Sequence, residues 1–204
     1  MEAISCFGGS REPSEAFYVS LRKEGPERIL RLLGNDGDSI KECSLLKEKI
    51  YKERFASADV QLASGFEALM ENPSVKSVAK RLVTNADDSL ADLYFERFRL
   101  ERWFNREESV VGNNEGNIRP KPAPDLYLEA LRLSNVQKES VLVFEDSMTG
   151  ISAAMKAGIE RIILITEESG ENCESMKNIT TQKSLLSGRG ISVVNNYGDI
   201  KLFD

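Results

Sequence analysis

The stretch VLVFEDSMTGISAAMKAG, Val141 to Gly158, decides how the rest of the chain is read. A short apolar run ends in two adjacent carboxylates, Glu145 and Asp146, and a segment of small residues follows at once. The segment SVLVFED predicts a buried strand, and TGISAAMKAG predicts a helix closed by Gly158 as its C′ residue. Strand followed directly by helix is the building unit of a parallel sheet, and such sheets carry their ligands at the C-terminal ends of the strands. The two carboxylates sit at that place.

Working outward, the pattern alternates between strands and helices from about residue 62. GFEALMEN predicts a short helix, and KRLVTN a strand ending in polar residues. SLADLYFERFRLERWF predicts an amphipathic helix anchored by Trp103, and ESVV a brief strand. APDLYLEALRLS predicts a helix, RIILIT an apolar strand, and ISVVNN one more strand near the end. Upstream, residues 14 to about 60 are helical in pattern. Ile29, Leu30, Leu32 and Leu33 form one apolar stripe; Leu45, Leu46, Lys49, Ile50 and Phe55 suggest a second. Between them GNDGDS, Gly34 to Ser39, reads as a turn into a helix with Asp38 or Ser39 as N-cap. The expected organisation is a helical region over residues 9–60 and an α/β core over 61–204, joined by residues 1–8.

Composition narrows the chemistry. With 204 residues, 41% apolar and 29% charged, the chain suits one globular domain, or one domain with a small insert. A net charge of −6, spread along the chain, disfavours nucleic acid as a partner, because phosphate contact needs clustered Lys and Arg. No apolar run approaches the roughly 20 residues that span a bilayer, so no membrane partner is expected. The N-terminus lacks the pattern of a secretory signal, and Cys6, Cys43 and Cys173 make neither a paired framework nor a metal spacing. A reducing cytoplasm is the expected setting. The chain has no histidine, which excludes Ser-His-Asp and Cys-His nucleophilic chemistry and every His-ligated zinc site. Catalysis must rely on carboxylates, lysine, hydroxyls or a hard, oxygen-bound cation.

Three polar clusters fall where strand ends or their loops are expected: Thr84-Asn85, Lys121 within RPKPAPDLY, and Glu145-Asp146-Ser147. Together a hydroxyl, a lysine and a carboxylate pair can bind one phosphate and one divalent cation. Thr84 would donate to a phosphate oxygen, Lys121 would supply positive charge, and the acidic pair would hold magnesium through oxygen. Each cluster also has a plain structural reading. Asp146 and Ser147 would cap the following helix, Thr84-Asn85 would make a turn, and Lys121 would be a solvated lysine.

KPAPDLYLEAL followed by VLVFEDSMTGISAAMKAGI resembles motifs III and IV of the haloacid dehalogenase-like (HAD) hydrolases, in the subgroup that holds beta-phosphoglucomutase and related small-metabolite phosphatases. LVTN is similar to their motif II. The resemblance covers residues 60 to 165, and region 9 to 60 more loosely as the family's helical cap. It implies a Rossmann-like core with a cap closing over a small phosphorylated metabolite, and magnesium-assisted phosphoryl transfer through an aspartyl-phosphate. By position, Thr84 and Asn85 would contact the phosphoryl group, and Lys121 would stabilise its charge and the nucleophile. Asp146 would ligate magnesium, with Glu145 a ligand or its support. Arg11, in GGSR, would meet a substrate phosphate from the cap.

The family's first motif, an apolar strand ending Asp-x-Asp-Gly, is not among these 204 residues. The first aspartate is Asp36, and Asp36-Gly37-Asp38 follows a helical pattern rather than a strand. The strand bearing that motif lies centrally in the family's sheet, so two strand edges are expected without partners. The stretch EAISCF, Glu2 to Phe7, could fill part of the place, bringing Cys6 or Ser10 near the site. Two expectations follow. The chain is an N-terminally shortened version of a phosphohydrolase or phosphomutase, impaired by the loss of its nucleophile and holding magnesium weakly or not at all. Alternatively, it is a degenerate relative that binds a phosphorylated ligand or a protein partner without turnover.

Overall fold

A computed structural model describes residues 37–112, 118–166 and 191–200. The stripe at Ile29–Leu33, residues 1–8 with Cys6, and Ser10 and Arg11 lie outside the described residues. The chain divides into two compact units, Met1–Val60 and Gln61–Asp204.

In the first unit, helix α1 (Gly37–Ser57) runs for 21 residues. It starts earlier than the turn reading of GNDGDS anticipates: Asp38 lies in its first turn, and Ser39 is already helical, so neither is the N-cap. Asp38 near the start and Arg54 in the last turn both complement the helix dipole. Ser57 Oγ donates to the carbonyls of Glu53 and Arg54 near the other end. Tyr51 and Phe55, one turn apart, stack with ring centroids 6.1 Å apart. Phe55 is buried, whereas Leu45, expected on the same stripe, is exposed.

The second unit alternates strand and helix. Helix α2 (Phe66–Glu71) leads into α3 (Pro73–Lys76), which Asn72 caps by accepting from Ser74 N at 2.9 Å. Strand β1 (Val83–Thr84) is followed by α4 (Asp88–Phe98), capped by Asp87, whose carboxylate accepts from Leu90 N at 2.7 Å. The long amphipathic helix read through Phe104 stops at Phe98, because Arg99 turns left-handed with φ 50°. Trp103 therefore follows a 3₁₀ turn, Leu100–Arg102, instead of anchoring the helix. Strand β2 (Val110–Val111) runs parallel to β1. Helix α5 (Asp125–Ser134), strand β3 (Val143–Glu145), helix α6 (Met148–Lys156), strand β4 (Ile162–Ile165) and strand β5 (Ile191–Val194) complete the order. Gly158 follows α6 at φ 80°, the left-handed position a helix end reserves for glycine.

Among the described residues the strands form two parallel sheets, β1-β2 and β3-β4-β5, with no backbone pairing between them. Leu82 and Thr84 accept from Val110 N and Gly112 N on the β2 side, and Val83 O points to the other edge. Helix α5 packs on both sheets. Its Leu126 and Ala130 lie against Val110 and Val83, and its Tyr127 lies in a core with Val143, Ile151, Ile162 and Ile191. Small residues let α6 approach this core closely, with Ala153 and Ala154 fully buried.

Along β3 the side chains alternate, so Val143 and Glu145 face α5 and α6 while Phe144 faces away. Phe144 meets Tyr197 at 5.9 Å, and Tyr197 meets Phe66 at 5.2 Å. Phe66 in turn packs edge-on to Trp103 at 5.4 Å, whose indole N–H donates to Glu71 at 2.7 Å. No helix among the described residues is long and apolar enough to cross a membrane.

Leu126 has no exposed surface, while Leu128 in the same helix is 49% exposed. Leu126→Ala should cost about 2–5 kcal/mol in urea unfolding, and Leu128→Ala should stay within about 0.5 kcal/mol of the parent.

Candidate functional site

The three clusters occupy the C-terminal ends of β1 and β3 and the loop that enters α5. Two different strands deliver Thr84-Asn85 and Glu145-Asp146, and the Lys121 side chain reaches both. Between them the loop Arg119–Pro124 carries Lys121, with a cis Lys121–Pro122 bond.

That loop is held at several points. Asn85 grips the Lys121 backbone from both sides: Lys121 N donates to Asn85 Oδ1 at 2.8 Å, and Asn85 Nδ2 donates to Lys121 O at 3.2 Å. Ala123 N donates to Pro120 O at 2.9 Å, and Lys156, in the last turn of α6, donates to Pro122 O at 2.9 Å. Arg119 pairs with Asp125 at 2.7 Å at the start of α5. With its backbone fixed, the Lys121 side chain runs inward to the seam between β1 and β3. Its ammonium donates to Val83 O at 3.0 Å and forms an ion pair with Glu145.

Glu145 is the one buried charged residue among those described. The Lys121 and Glu145 side chains are 10% and 5% exposed, so little water solvates the pair. Protein groups take water's place. Lys121 and the Tyr127 phenol both donate to Glu145 Oε1, and Ser147 Oγ lies 3.3 Å from Oε2. Burial first, and the Glu145 carboxylate second, push the ionisation of the Tyr127 phenol well above its ordinary value, so it stays a neutral donor. Gly150 in α6 makes room for this carboxylate, since a Cβ there would overlap Glu145 Oε2. Ser147 is the N-cap of α6, accepting from Gly150 N at 3.1 Å.

Asp146 is exposed, and it lies near enough to Tyr127 for its charge to raise the phenol further. Thr84 Oγ1 accepts from Ala86 N at 3.1 Å, which orients the hydroxyl at the strand end. The sequence-derived residues thus occupy distinct places. Thr84 and Asp146 stand at strand ends, Asn85 is committed to the Lys121 backbone, and Glu145 is paired with Lys121. Arg11 lies outside the described residues.

Sequence reasoning did not single out Tyr127 or Gly150. The available signal for Tyr127 was its place on the apolar stripe of APDLYLEAL, since a buried phenol needs a partner. For Gly150 there was none, because its role depends on a side chain from another element.

A cation site fits here in a limited way. Among the described residues no group of three or more carboxylate, cysteine or histidine side chains is arranged to hold a metal ion. Asp146 offers one outward carboxylate, which suits a magnesium ion held mainly through water and phosphate oxygens. Glu145, as placed, is a partner for the ammonium.

Two substitutions test this geometry. Lys121→Met should destabilise by about 3–5 kcal/mol, because it strands a buried carboxylate. Adding Glu145→Gln should restore much of that loss in equilibrium unfolding. Gly150→Ala should cost about 1–3 kcal/mol by overpacking against Glu145, and that cost should shrink in a Glu145→Ala background.

A family model described as haloacid dehalogenase-like hydrolase matches residues 6–164. The chain is 39% identical over 168 residues to a Thermotoga maritima protein named phosphorylated carbohydrates phosphatase, across 76% of this chain and 75% of that protein. It is 24% identical to the plasmid-encoded protein CbbY of Cupriavidus necator, across 66% of this chain and 53% of that protein, about half of that relative's length. Among solved structures, a HAD hydrolase, family IA, variant 3, from Entamoeba histolytica matches with a TM-score of 0.80 at 23% identity, covering 98% of this chain and 85% of that one. A CbbY variant from Rhodobacter sphaeroides, crystallised with xylulose-(1,5)bisphosphate, matches with a TM-score of 0.72 at 20% identity, covering 97% and 85%. These structural likenesses establish a Rossmann-like α/β fold. On the family match and the Thermotoga relative together, the chain belongs to the haloacid dehalogenase-like hydrolases.

Proposed function

We propose that the chain binds a small phosphorylated metabolite, a sugar phosphate among the candidates, at the end of β1 and β3, and that these 204 residues by themselves turn it over little or not at all. The observation that carries the reading is the joint presence of the Thr84 hydroxyl, the backbone-clamped Lys121 ammonium and the Asp146 carboxylate at the C-terminal ends of β1 and β3. The similarity to the Thermotoga phosphatase of phosphorylated carbohydrates supports the substrate class.

In this reading Thr84 donates to a phosphoryl oxygen and Lys121 offset its negative charge, while Asn85 acts by holding the lysine's backbone in place. Asp146 would hold magnesium, with Glu145 supporting from the lysine pair, and the ion would supply charge neutralisation at the phosphate oxygens. Residues 9–60 would serve as the cap that selects the substrate, with Arg11 reaching its phosphate, and the setting would be the cytoplasm. Low turnover follows from chemistry. Lysine and a single outward carboxylate bind and neutralise a phosphoryl group, but transfer through a covalent intermediate needs a nucleophile, and the sequence has no Asp-x-Asp-Gly motif to supply one.

The test combines calorimetry with an assay of aryl phosphate hydrolysis. Expected are measurable binding of a hexose phosphate, weakened about threefold to tenfold by Thr84→Val, weak magnesium binding, and no hydrolysis above background. Robust hydrolysis abolished by Asp146→Ala, or tight stoichiometric magnesium binding, would contradict the low-turnover reading. Absence of any phosphate-ester binding would remove the ligand class and favour a protein partner.

A further inference from the structure

One side chain touches both members of the buried ion pair. The Tyr127 phenol donates to Glu145 Oε1, the same oxygen that Lys121 reaches, and the centre of its ring lies 5.0 Å from the Lys121 ammonium. The ring is itself fixed, buried in the core between α5, α6 and the β3-β4-β5 sheet. The hinge for this arrangement is short, since α5 begins four residues after Lys121 and Tyr127 is its third residue.

We infer that Tyr127 is a positioning residue, which holds Lys121 and Glu145 in a single arrangement through its phenol and its ring face. Two donors converge on Oε1, whereas Oε2 has a longer contact of 3.3 Å with Ser147. Glu145 is thereby kept turned toward the lysine. The ring adds a cation–π attraction to the ammonium. Of the three ammonium hydrogens, Val83 O and Glu145 take two. Among the described residues no third hydrogen-bond acceptor meets the ammonium, which leaves one hydrogen for an incoming anion. That last consequence rests on the phosphate-binding reading; the positioning itself does not.

The tyrosine could instead be an ordinary core residue whose hydroxyl merely finds a partner. The two cases differ in what happens to the lysine. Tyr127→Phe removes the oxygen and keeps the ring, and Tyr127→Leu removes both. Nitrogen-selective NMR of the Lys121 ammonium, assigned by its loss in Lys121→Arg, reports its hydrogen exchange with water and the ring-current shift on its neighbouring methylene. The wild-type ammonium should exchange slowly. Tyr127→Phe should speed that exchange about tenfold and keep the ring-current shift, and Tyr127→Leu should lose both. A core change on another strand, Ile162→Val, should leave the signal alone even where it lowers the unfolding temperature.

An ammonium signal unaltered in both tyrosine variants, or altered equally by Ile162→Val, overturns the inference. So does a wild-type ammonium that exchanges as fast as a free lysine. If Tyr127→Leu does not fold, the exchange rate in Tyr127→Phe decides. No ligand enters the measurement, so failure to bind phosphate sinks the functional reading and leaves this one standing.

Discussion

A lysine ammonium and a glutamate carboxylate meet where β1 and β3 face each other, at a depth that little water reaches. Burying either charge alone costs several kcal/mol, so each is tolerable there only while the other is in place and further hydrogen bonds complete the solvation that water no longer provides. Much of the surrounding architecture answers that requirement. Val83 turns a carbonyl toward the ammonium from the strand edge that β2 does not use. Tyr127 brings a phenol to the carboxylate from α5, and α6 opens a gap for it by having Gly150 where any side chain would collide. Asn85 fixes the lysine's backbone so that the side chain has one direction in which to run.

The same pair explains how two sheets behave as one platform. Among the described residues no backbone ladder joins β1 to β3. The link is made by side chains, with Lys121 reaching both strands and α5 burying Leu126 against one sheet and Tyr127 against the other. The strand ends therefore keep a defined spacing. Family membership says what such an edge is used for in general, and the local geometry adds a division of labour. Asn85 and Glu145 act on Lys121, while the half-buried Thr84 hydroxyl is oriented by Ala86 N and Asp146 is exposed.

Legibility from sequence varied with the range of the interactions involved. The β3-α6 unit was readable because its signals are local: an apolar run, a serine N-cap and a glycine that ends the helix at positive φ. The strands at Val83–Thr84 and Val110–Val111 are only two residues long, yet the short apolar runs in KRLVTN and ESVV marked them. Local signals also misled. FERFRLERWF continues an amphipathic pattern, but the backbone breaks at Arg99, and Trp103 joins the aromatic cluster with Phe66 instead of extending a helix. Asp38 and Ser39 have cap-forming side chains, yet the helix begins at Gly37, before them.

By itself the sequence determined the family, the parallel α/β class and the candidate residues Thr84, Asn85, Lys121, Glu145 and Asp146, because each sits within a contiguous motif of strand end, proline-rich loop or helix start. It also determined what chemistry is excluded, since a chain without histidine cannot use imidazole. Only the tertiary structure decided what those residues do to one another. That Glu145 faces Lys121 while Asp146 is exposed, that Asn85 holds a backbone, and that Tyr127 and Gly150 shape the carboxylate's place all depend on groups brought together from separate elements. The reason is physical: a buried charge takes its partner from whatever the fold packs beside it, and sequence spacing does not encode that neighbour.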